Sequence, residues 1–199
     1  RPKKSIEVIE KSSPYQGRFR VDRYLLRYER HLGGWTPSVV REVFDRGHSV
    51  VVLPYDPIAD AVVLIEQFRT GALAAGLMPW LSEAVAGTIE ADEDPKETAH
   101  RELMEEAGCR ASKLELIGTF LLSSSSLSET SIMYCAHVDS AGVGGVHGLA
   151  AEAEDILVTV VPAEEAIARV TRGEIVSTYG VLPLQWLALN RQRLRERWR

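Results

Sequence analysis

The sequence has few cysteines, no long apolar run and no excess of positive charge. Its 199 residues include only Cys109 and Cys135, which are too few for the disulfide framework of a small secreted domain and are not spaced as metal ligands. No uninterrupted apolar run approaches the ~18 to 20 residues of a membrane span. The opening RPKKSIEVIE also lacks the hydrophobic core of a signal peptide. We therefore expect a cytoplasmic protein that does not interact with a membrane.

The charge balance argues against a nucleic acid as partner. The formal net charge is −5, whereas binding of a nucleic-acid backbone normally requires a basic patch. The composition is otherwise ordinary for a globular protein, with 45% hydrophobic and 26% charged residues. A chain of this length can bury a core without disulfides or structural metals. Unusual residue clusters are therefore better explained by function than by stability.

Alternation of polar and apolar residues predicts strands in the first part of the chain. RFRVDRYLLRYE and SVVREVF alternate in this way on either side of Gly33-Gly34, and we assign residues 1–46 to an N-terminal β region. Two runs that contain β-branched residues, 49–53 and 61–68, flank PYDPIAD, a cluster of turn residues, and predict a β-hairpin. TGALAAGLMPW is predicted to be a loop, and LSEAVAG a short apolar segment.

Residues 94–108 form the clearest predicted helix. Asp94 suits the N-cap, Pro95 the first helical position, and Gly108 the C-terminal stop. Beyond it, KLELIGTFLL, SIMYCAHV and DILVTVV predict strands joined by serine-rich and glycine-rich loops, and AEEAIARVTRG and VLPLQWLALNRQRLRERW predict helices. Strands first, helices last and one helix in the middle indicate an α+β layered domain.

Three carboxylates share one face of the central helix. Glu102, Glu105 and Glu106 stand at positions i, i+3 and i+4, which are neighbours on a helix surface. Taken alone, such a cluster is most simply a solvated acidic face, because charged residues usually remain exposed. Whether the three glutamates have a function depends on the residues around them in the sequence.

The three glutamates belong to a longer sequence pattern. GTIEADEDPKETAHRELMEEAGC, residues 87–109, resembles the Nudix box G-x5-E-x7-R-E-U-x-E-E-x-G-U, in which U is a bulky aliphatic residue. All fixed identities are present: Gly87, Glu93, Arg101, Glu102, Glu105, Glu106 and Gly108. At average residue frequencies, one window would match by chance with a probability of roughly 10⁻⁹. Leu103 satisfies the first aliphatic position, whereas Cys109, a small hydrophobic residue, occupies the last.

Resemblance to the Nudix family implies a metal-dependent hydrolase with an α/β/α sandwich and a mixed sheet in residues 47–199. Hydrolysis of a diphosphate requires that charge on the phosphoryl oxygens be neutralised, which hard divalent ions do with oxygen ligands. The resemblance implies two or three ions of Mg²⁺, with Mn²⁺ as an alternative. The implied metal ligands are the backbone oxygen of Ala86 and the carboxylates of Glu102, Glu105 and Glu106. Glu105 and Arg101 are also implied to act in catalysis, and Arg101 is better suited to orienting a glutamate such as Glu93 than to touching substrate.

Within the family, the chain looks most similar to bacterial ADP-ribose pyrophosphatases. REVFDRGHSVVVLPYDP, VVLIEQFR and HGLAAEAEDI carry this resemblance. In that branch the last stretch forms a mobile loop, which implies that Glu152 is the catalytic base and Glu154 a further metal ligand. A solvated acidic loop is the alternative interpretation.

The resemblance also implies residues that contact the substrate. Arg41 and Arg69 are similar to positions that grip phosphate or terminal ribose, for which the forked guanidinium is suited, and Glu129 to a residue that accepts hydrogen bonds. Each can instead be an ordinary surface charge. The aromatic residue expected to stack on adenine is one of three in the N-terminal strands: Phe19, Tyr24 or Tyr28.

The implied reaction is hydrolysis of ADP-ribose to AMP and ribose 5-phosphate by a homodimer whose N-terminal strands cross to the partner. A hydrolase of GDP-mannose or another nucleoside diphosphate sugar is one alternative, because Ser124 stands where ADP-ribose enzymes carry the proline of Ser-Pro-Gly-Gly. A Nudix-fold ligand sensor without catalysis is an alternative of a different class. Loss of catalysis normally deletes glutamates of the box, and none is missing here.

Overall fold

The computed structural model describes residues 4–198, apart from the side chain of Glu152. The chain divides into two compact units. One contains the chain up to His48 together with Leu121–Thr130, and the other contains Ser49–Phe120 and the chain from Ser131 onward. The unit of the N-terminal strands therefore includes a second, distant segment, because Phe44 exchanges backbone hydrogen bonds with Ser126 and Ser128 at 2.8 and 3.1 Å.

The N-terminal unit is built on an antiparallel sheet of β1 (Ile6–Gln16), β2 (Arg20–Tyr28) and β3 (Val39–Asp45), in that order. β2 and β3 confirm the strands that RFRVDRYLLRYE and SVVREVF predict, and β1 lies before both stretches. The pairing of β1 with β2 is irregular, with register shifts between Val8 and Glu10 and between Ser12 and Tyr15. Most positions of β1 are exposed.

The larger sheet is mixed, as the resemblance implies. It contains β4 (Ser49–Asp56), β5 (Ala61–Phe68), β6 (Trp80–Glu83), β7 (Val85–Thr88), β8 (Lys113–Leu121), β9 (Thr130–His137), β10 (Gly145–His147) and β11 (Ile156–Pro162). The order is β10-β11-β5-β4-β9-β8, with β6 paired to β5 and β7 paired to β4. The pairing of β4 with β9 is parallel, whereas β4 and β5 are antiparallel.

The predicted hairpin exists, but its strands separate soon after the turn. β4 and β5 pair only at Tyr55 with Val62 and at Asp56 with Ala61. Beyond that point β6 takes the free edge of β5 and β7 takes the free edge of β4. The prediction that PYD belongs to the turn is wrong, since β4 continues to Asp56 with the ring of Tyr55 fully buried. Burial of this ring outweighs the turn-forming composition.

Helices cover both faces of the central strand. The helices are α1 (Thr70–Ala74), α2 (Pro95–Ala107), α3 (Ala163–Thr171) and α4 (Thr178–Trp198). α2 packs on β4 and β7, and α4 packs on β4 and β6. Every residue of β4 is consequently buried, as expected for a strand inside a three-layer α/β/α arrangement. The α+β fold is confirmed, although the loop predicted for residues 70–80 contains α1. Among residues 4–198, no helix has both the length and the apolar character that a membrane span requires.

Candidate functional site

α2, the acidic helix that carries Glu102, Glu105 and Glu106, begins and ends where its sequence predicts. The Asp94 carboxylate accepts a hydrogen bond from the Lys96 backbone N–H at 2.7 Å. Gly108 ends the helix in the left-handed conformation, at φ 62°, which costs glycine little. Glu102 and Glu106 are buried and Glu105 is half-buried. The interpretation as a solvated acidic face is therefore wrong for Glu102 and Glu106.

Arg101 holds three glutamates of this region. Its Nε and Nη2 donate to the two oxygens of Glu93 at 3.0 and 3.1 Å, and its Nη1 donates to Glu102 at 2.8 Å and to Glu105 at 3.1 Å. Hydrogen bonding from Arg101 is the main reason that the pKa of Glu93 falls to about 2. The side chain of Arg101 is thus committed to orienting carboxylates.

Glu106 lies deepest among these carboxylates. It accepts a hydrogen bond from the Ala86 backbone N–H at 2.9 Å, and Gln67 Nε2 lies 3.5 Å from its other oxygen. The pKa of Glu106 is raised to about 8, mainly by burial; the Ala86 N–H opposes the rise and the charge of Glu102 contributes to it. The pKa of Glu102 is also raised, mainly by burial, while Arg101 opposes the shift. The two buried carboxylates therefore lack a full compensating charge.

Gly87 leaves the space that Glu102 occupies. Ala86 and Gly87 of β7 pair with Val51 and Val50 of β4. A Cβ atom added at Gly87 would overlap the carboxyl group of Glu102. The absence of a side chain at this position therefore lets the Glu102 carboxylate lie directly against β7.

The loop before β11 carries the remaining acidic candidates. Ala150–Glu152 form a 3₁₀ turn, and the Glu154 carboxylate accepts a hydrogen bond from the Leu149 backbone N–H at 3.0 Å. The charge of Glu154 contributes to raising the pKa of both Glu102 and Glu106. The backbone of Glu152 belongs to this turn, but its side chain lies outside the described residues.

The chemistry of the acidic cluster, which consists of Glu102, Glu105, Glu106 and Glu154, fits a divalent cation. No three of the described His, Cys, Asp or Glu side chains are already arranged to hold a metal ion. Arg101 and the Ala86 N–H engage oxygens of Glu102 and Glu106. However, the cluster consists of oxygen donors, which hard cations prefer. A cation beside Glu102 and Glu106 would also offset the charge that burial and mutual repulsion now disfavour.

Arg69 belongs to the same unit as the acidic helix and is held by Glu83, a residue that no sequence motif singles out. Its Nε donates to Glu83 at 2.7 Å, and the side chain of Glu83 is 3% exposed. In the sequence, the only signal of Glu83 is one acidic residue within the apolar stretch LSEAVAG.

Arg41 and Glu129 belong to the N-terminal unit. Arg41 is exposed and donates from Nη1 to the carbonyl oxygen of its neighbour Val40 at 2.8 Å. Glu129 is 2% exposed and its two oxygens lie 3.0 and 3.2 Å from Nη1 of Arg46. Glu129 is therefore not an ordinary surface charge. The sequence pattern does not predict Arg46 as a partner of Glu129, because no local signal links residues so distant in the chain.

The three aromatic candidates differ in how far their rings are already engaged. The guanidinium groups of Arg18 and Arg46 lie 5.7 and 5.9 Å from the ring centre of Phe19, and Phe44 packs edge-on against it at 5.3 Å. Lys11 Nζ lies 5.1 Å from the ring centre of Tyr24. Tyr28 is 43% exposed.

Comparison with known proteins identifies the class. A family model described as NUDIX domain matches residues 45–179, a range that includes β4 to β7, the acidic helix and the loop of Glu152. Together with the mixed sheet and the helix that carries Glu102 and Glu106, this match shows that the chain belongs to the Nudix family.

Particular relatives confirm the resemblance to ADP-ribose pyrophosphatases. The ADP-ribose pyrophosphatase of Escherichia coli K12 is 42% identical over 196 residues, which cover 98% of this chain and 94% of that protein. The GDP-mannose pyrophosphatase of Cronobacter sakazakii is 35% identical over 150 residues, covering 75% of this chain and 78% of that protein. The crystal structure of an ADP compounds hydrolase superposes with a TM-score of 0.71 at 19% identity, covering 96% of this chain and 95% of that one. This last similarity shows a shared fold.

Proposed function

We propose that the chain hydrolyses the diphosphate bond of ADP-ribose to give AMP and ribose 5-phosphate. The observation that carries the chemistry is the pair of buried carboxylates, Glu102 and Glu106. Both belong to α2, which packs on β7. The substrate is supported by the 42% identity, over 98% of the chain, to an ADP-ribose pyrophosphatase. The identity to GDP-mannose pyrophosphatases is lower, at 35% over 75% of the chain for one and 30% over 90% for another.

We propose Mg²⁺, or Mn²⁺ in its place, as the cofactor, in two or three ions. The residues that would hold them are the backbone oxygen of Ala86 and the carboxylates of Glu102, Glu105, Glu106 and Glu154. When bound, such ions neutralise charge on phosphoryl oxygens and make water more acidic. Arg101 supports this set by fixing Glu93, Glu102 and Glu105 in a network of hydrogen bonds.

The remaining residues act on the substrate and on water. Glu152 takes the proton of the water that attacks phosphorus, a role that rests on the resemblance of its loop. Arg69 and Arg41 bind the anionic and ribose parts of the substrate, since arginine donates in a fork that matches phosphate. Glu129 accepts hydrogen bonds from it, and its near-complete burial beside Arg46 fits a fixed acceptor.

Side-by-side hydrolysis of ADP-ribose, GDP-mannose and a dinucleotide with Mg²⁺ tests the substrate. We expect kcat/KM for ADP-ribose to exceed that for the other compounds by at least about tenfold, because the site's polar groups would remain unpaired with a mismatched substrate. Chromatography should identify AMP and ribose 5-phosphate as products. A preference for GDP-mannose would support the alternative that Ser124 suggests. Heat release on binding of ADP-ribose without product would instead indicate a ligand sensor.

Replacing Gly87 by alanine tests the space beside Glu102. The new methyl group would displace the carboxylate of Glu102 from β7, so kcat/KM should fall by about tenfold, as when the surroundings of a metal ligand are disturbed. Gly71→Ala is a matched control, because a Cβ at Gly71 meets nothing within 4 Å. Equal activity of the Gly87→Ala and Gly71→Ala variants would contradict this role of Gly87.

The proposed assembly is a homodimer formed through the N-terminal strands. It is supported by apolar side chains that β1 exposes: Ile6, Val8, Ile9 and Tyr15. Light scattering should give twice the mass of one chain, and the mass of a monomer would contradict the proposal. We also propose a cytoplasmic location, which fits the two free and buried thiols, Cys109 and Cys135.

A further inference from the structure

Glu83 is a buried carboxylate to which the proposed reaction gives no role. Only 2% of the residue is exposed, and each of its oxygens has one partner. Oε2 accepts from Nε of Arg69 at 2.7 Å, and Oε1 accepts from the hydroxyl of Ser177. A buried carboxylate that is completely engaged in this way holds its partners in fixed positions.

Strand pairing brings Arg69 and Glu83 to one face of the sheet. β5 and β6 pair with Phe68 opposite Trp80, and the Arg69 backbone N–H continues this ladder to the Pro79 carbonyl at 2.8 Å. Arg69 is extended, with φ −123° and ψ 107°, so its side chain lies on the same face as that of Gln67 two residues earlier. Gln67 reaches Glu106 at 3.5 Å. Arg69 therefore projects on the face that carries the acidic cluster.

The other partner of Glu83 caps the longest helix. Ser177 precedes α4, and its carbonyl oxygen accepts from the backbone N–H groups of Gly180 and Val181 at 3.0 and 2.8 Å. Its hydroxyl oxygen also accepts from the Tyr179 N–H at 3.3 Å. The Glu83 carboxylate therefore lies at the positive end of the α4 dipole, where negative charge is favoured.

Close packing keeps this helix end in place. A Cβ atom at Gly180 would meet the carbonyl oxygen of Ser82 at 3.1 Å and Ile175 at 2.6 Å. The Ala84 backbone N–H donates to the Tyr179 carbonyl at 3.3 Å. The first turn of α4 is therefore fixed against the end of β6, and Glu83 with it.

We propose that Glu83 is a positioning residue, which holds the guanidinium of Arg69 in the orientation that binds the substrate and is itself fixed by the Ser177 cap of α4. The side chain of Arg69 is 32% exposed. Without an acceptor it would sample several rotamers, and substrate binding would have to order it. The inference rests on the proposed function, because Arg69 acts there on the substrate.

The first test needs neither metal nor substrate. In a sample labelled with ¹⁵N-arginine, the Nε–H signal of Arg69 is assigned by its loss in Arg69→Lys. In Glu83→Ala its exchange with water should accelerate by at least about tenfold, as expected for loss of a hydrogen bond to a charged group. Glu83→Gln, which weakens the pair without removing the acceptor, should accelerate it less. Glu164→Gln, which changes an exposed residue in the first turn of α3, should leave it unchanged. An unchanged exchange rate in both Glu83 variants would overturn the inference.

The second test is a double-mutant cycle on AMP release from ADP-ribose. Glu83→Gln should lower kcat/KM by about tenfold in the wild-type chain but by less than about twofold in an Arg69→Gln background, because the two residues act as one unit. Equal losses in both backgrounds would mean that Glu83 acts by another route and would overturn the inference. A wild-type chain that releases no AMP would contradict the proposed function instead, and the exchange measurement would still decide the role of Glu83.

Discussion

Replacing Glu106 by glutamine should lower kcat for AMP release by at least about a hundredfold. Loss of a residue that only supports a metal ligand costs up to about a hundredfold, and Glu106 is proposed to be a ligand itself. Glu106 is 3% exposed and lies on α2 beside Glu102. Glutamine preserves the shape of the side chain and an oxygen that can accept from the Ala86 N–H. It removes the negative charge that would hold a cation. Turnover at saturating Mg²⁺ and Mn²⁺ binding by calorimetry should both decrease.

The structure provides a matched control on the same helix. Glu97 is exposed in the first turn of α2, so Glu97→Gln should leave turnover unchanged. The metal-free Glu106→Gln variant should unfold at a temperature no lower than the wild type, because a buried neutral amide costs less than a buried carboxylate. Undiminished turnover in Glu106→Gln would remove Glu106 from the metal site. Lower thermal stability would show that the loss of activity comes from the fold.

Replacing Asp60 by asparagine should lower the free energy of unfolding by about 3 kcal/mol, as expected when one partner of a largely buried ion pair is removed. Asp60 stands between β4 and β5, and its carboxylate accepts from Nε and Nη2 of Arg191 at 2.8 and 2.5 Å. Arg195 lies 3.0 Å from the same carboxylate, and the hydroxyl of Tyr55 donates to it at 2.8 Å. The network fastens α4 to the β4–β5 turn. Urea unfolding followed by circular dichroism measures the effect.

Asparagine is the informative substitution because Asp60 has a positive φ of 57°. Asparagine tolerates this left-handed conformation, so only the charge is lost, whereas Asp60→Ala should cost about 1 kcal/mol more through backbone strain. Asp155, which is exposed, supplies the control Asp155→Asn. Equal stability of Asp60→Asn and Asp155→Asn at pH 7 would show that the network does not stabilise the fold.

The effect of Asp60 should also depend on pH. Hydrogen bonding from Arg191 is the main reason that the pKa of Asp60 lies below its ordinary value of 3.8. A carboxyl group whose pKa is lower in the folded state stabilises the fold fully above its unfolded pKa, and this contribution is lost as the pH falls through the folded pKa. The difference in stability between the wild type and Asp60→Asn should therefore shrink in acid. A difference that stays constant down to the lowest pH at which the protein is folded would contradict the ionic origin.

The acidic helix shows how far local signals reach. Its cap, its proline and its terminal glycine lie in one short segment, and each acts on backbone groups within a few residues. The sequence therefore predicts its start at Asp94 and its end at Gly108 correctly. The spacing of Glu102, Glu105 and Glu106 likewise follows from the helical period. Whether these carboxylates are wet or buried does not, because that depends on the strand packed against them.

The β4–β5 hairpin shows where local signals mislead. Pro54, Tyr55 and Asp56 have the composition of a turn, yet they continue a fully buried strand. The pairing of β6 and β7 with the separated edges of β5 and β4 has no local signature either. It depends on which edges are left free after the rest of the sheet has formed.

The contacts of the candidate site are likewise of two kinds, those that the sequence pattern predicts and those that it does not. Arg101 and its partners Glu93, Glu102 and Glu105 lie within one motif, so their association follows from the sequence pattern. The pairs of Arg46 with Glu129 and of Arg69 with Glu83, together with the cap of Ser177, join different elements of the fold. No spacing of residues in the sequence predicts these contacts.

The sequence by itself determined the Nudix box, the helix that presents its carboxylates, the strands and helices with a clear hydrophobic period, and the family to which the chain belongs. These depend on residue types at fixed short spacings, where hydrogen bonding and side-chain periodicity act locally. Only the tertiary structure decided that Glu102 and Glu106 are buried, that Gly87 makes room for Glu102, and that Glu83 connects Arg69 to the start of α4. Such contacts join residues that are distant in the chain, and their energies depend on burial and geometry that exist only once the sheet and the helices have packed together.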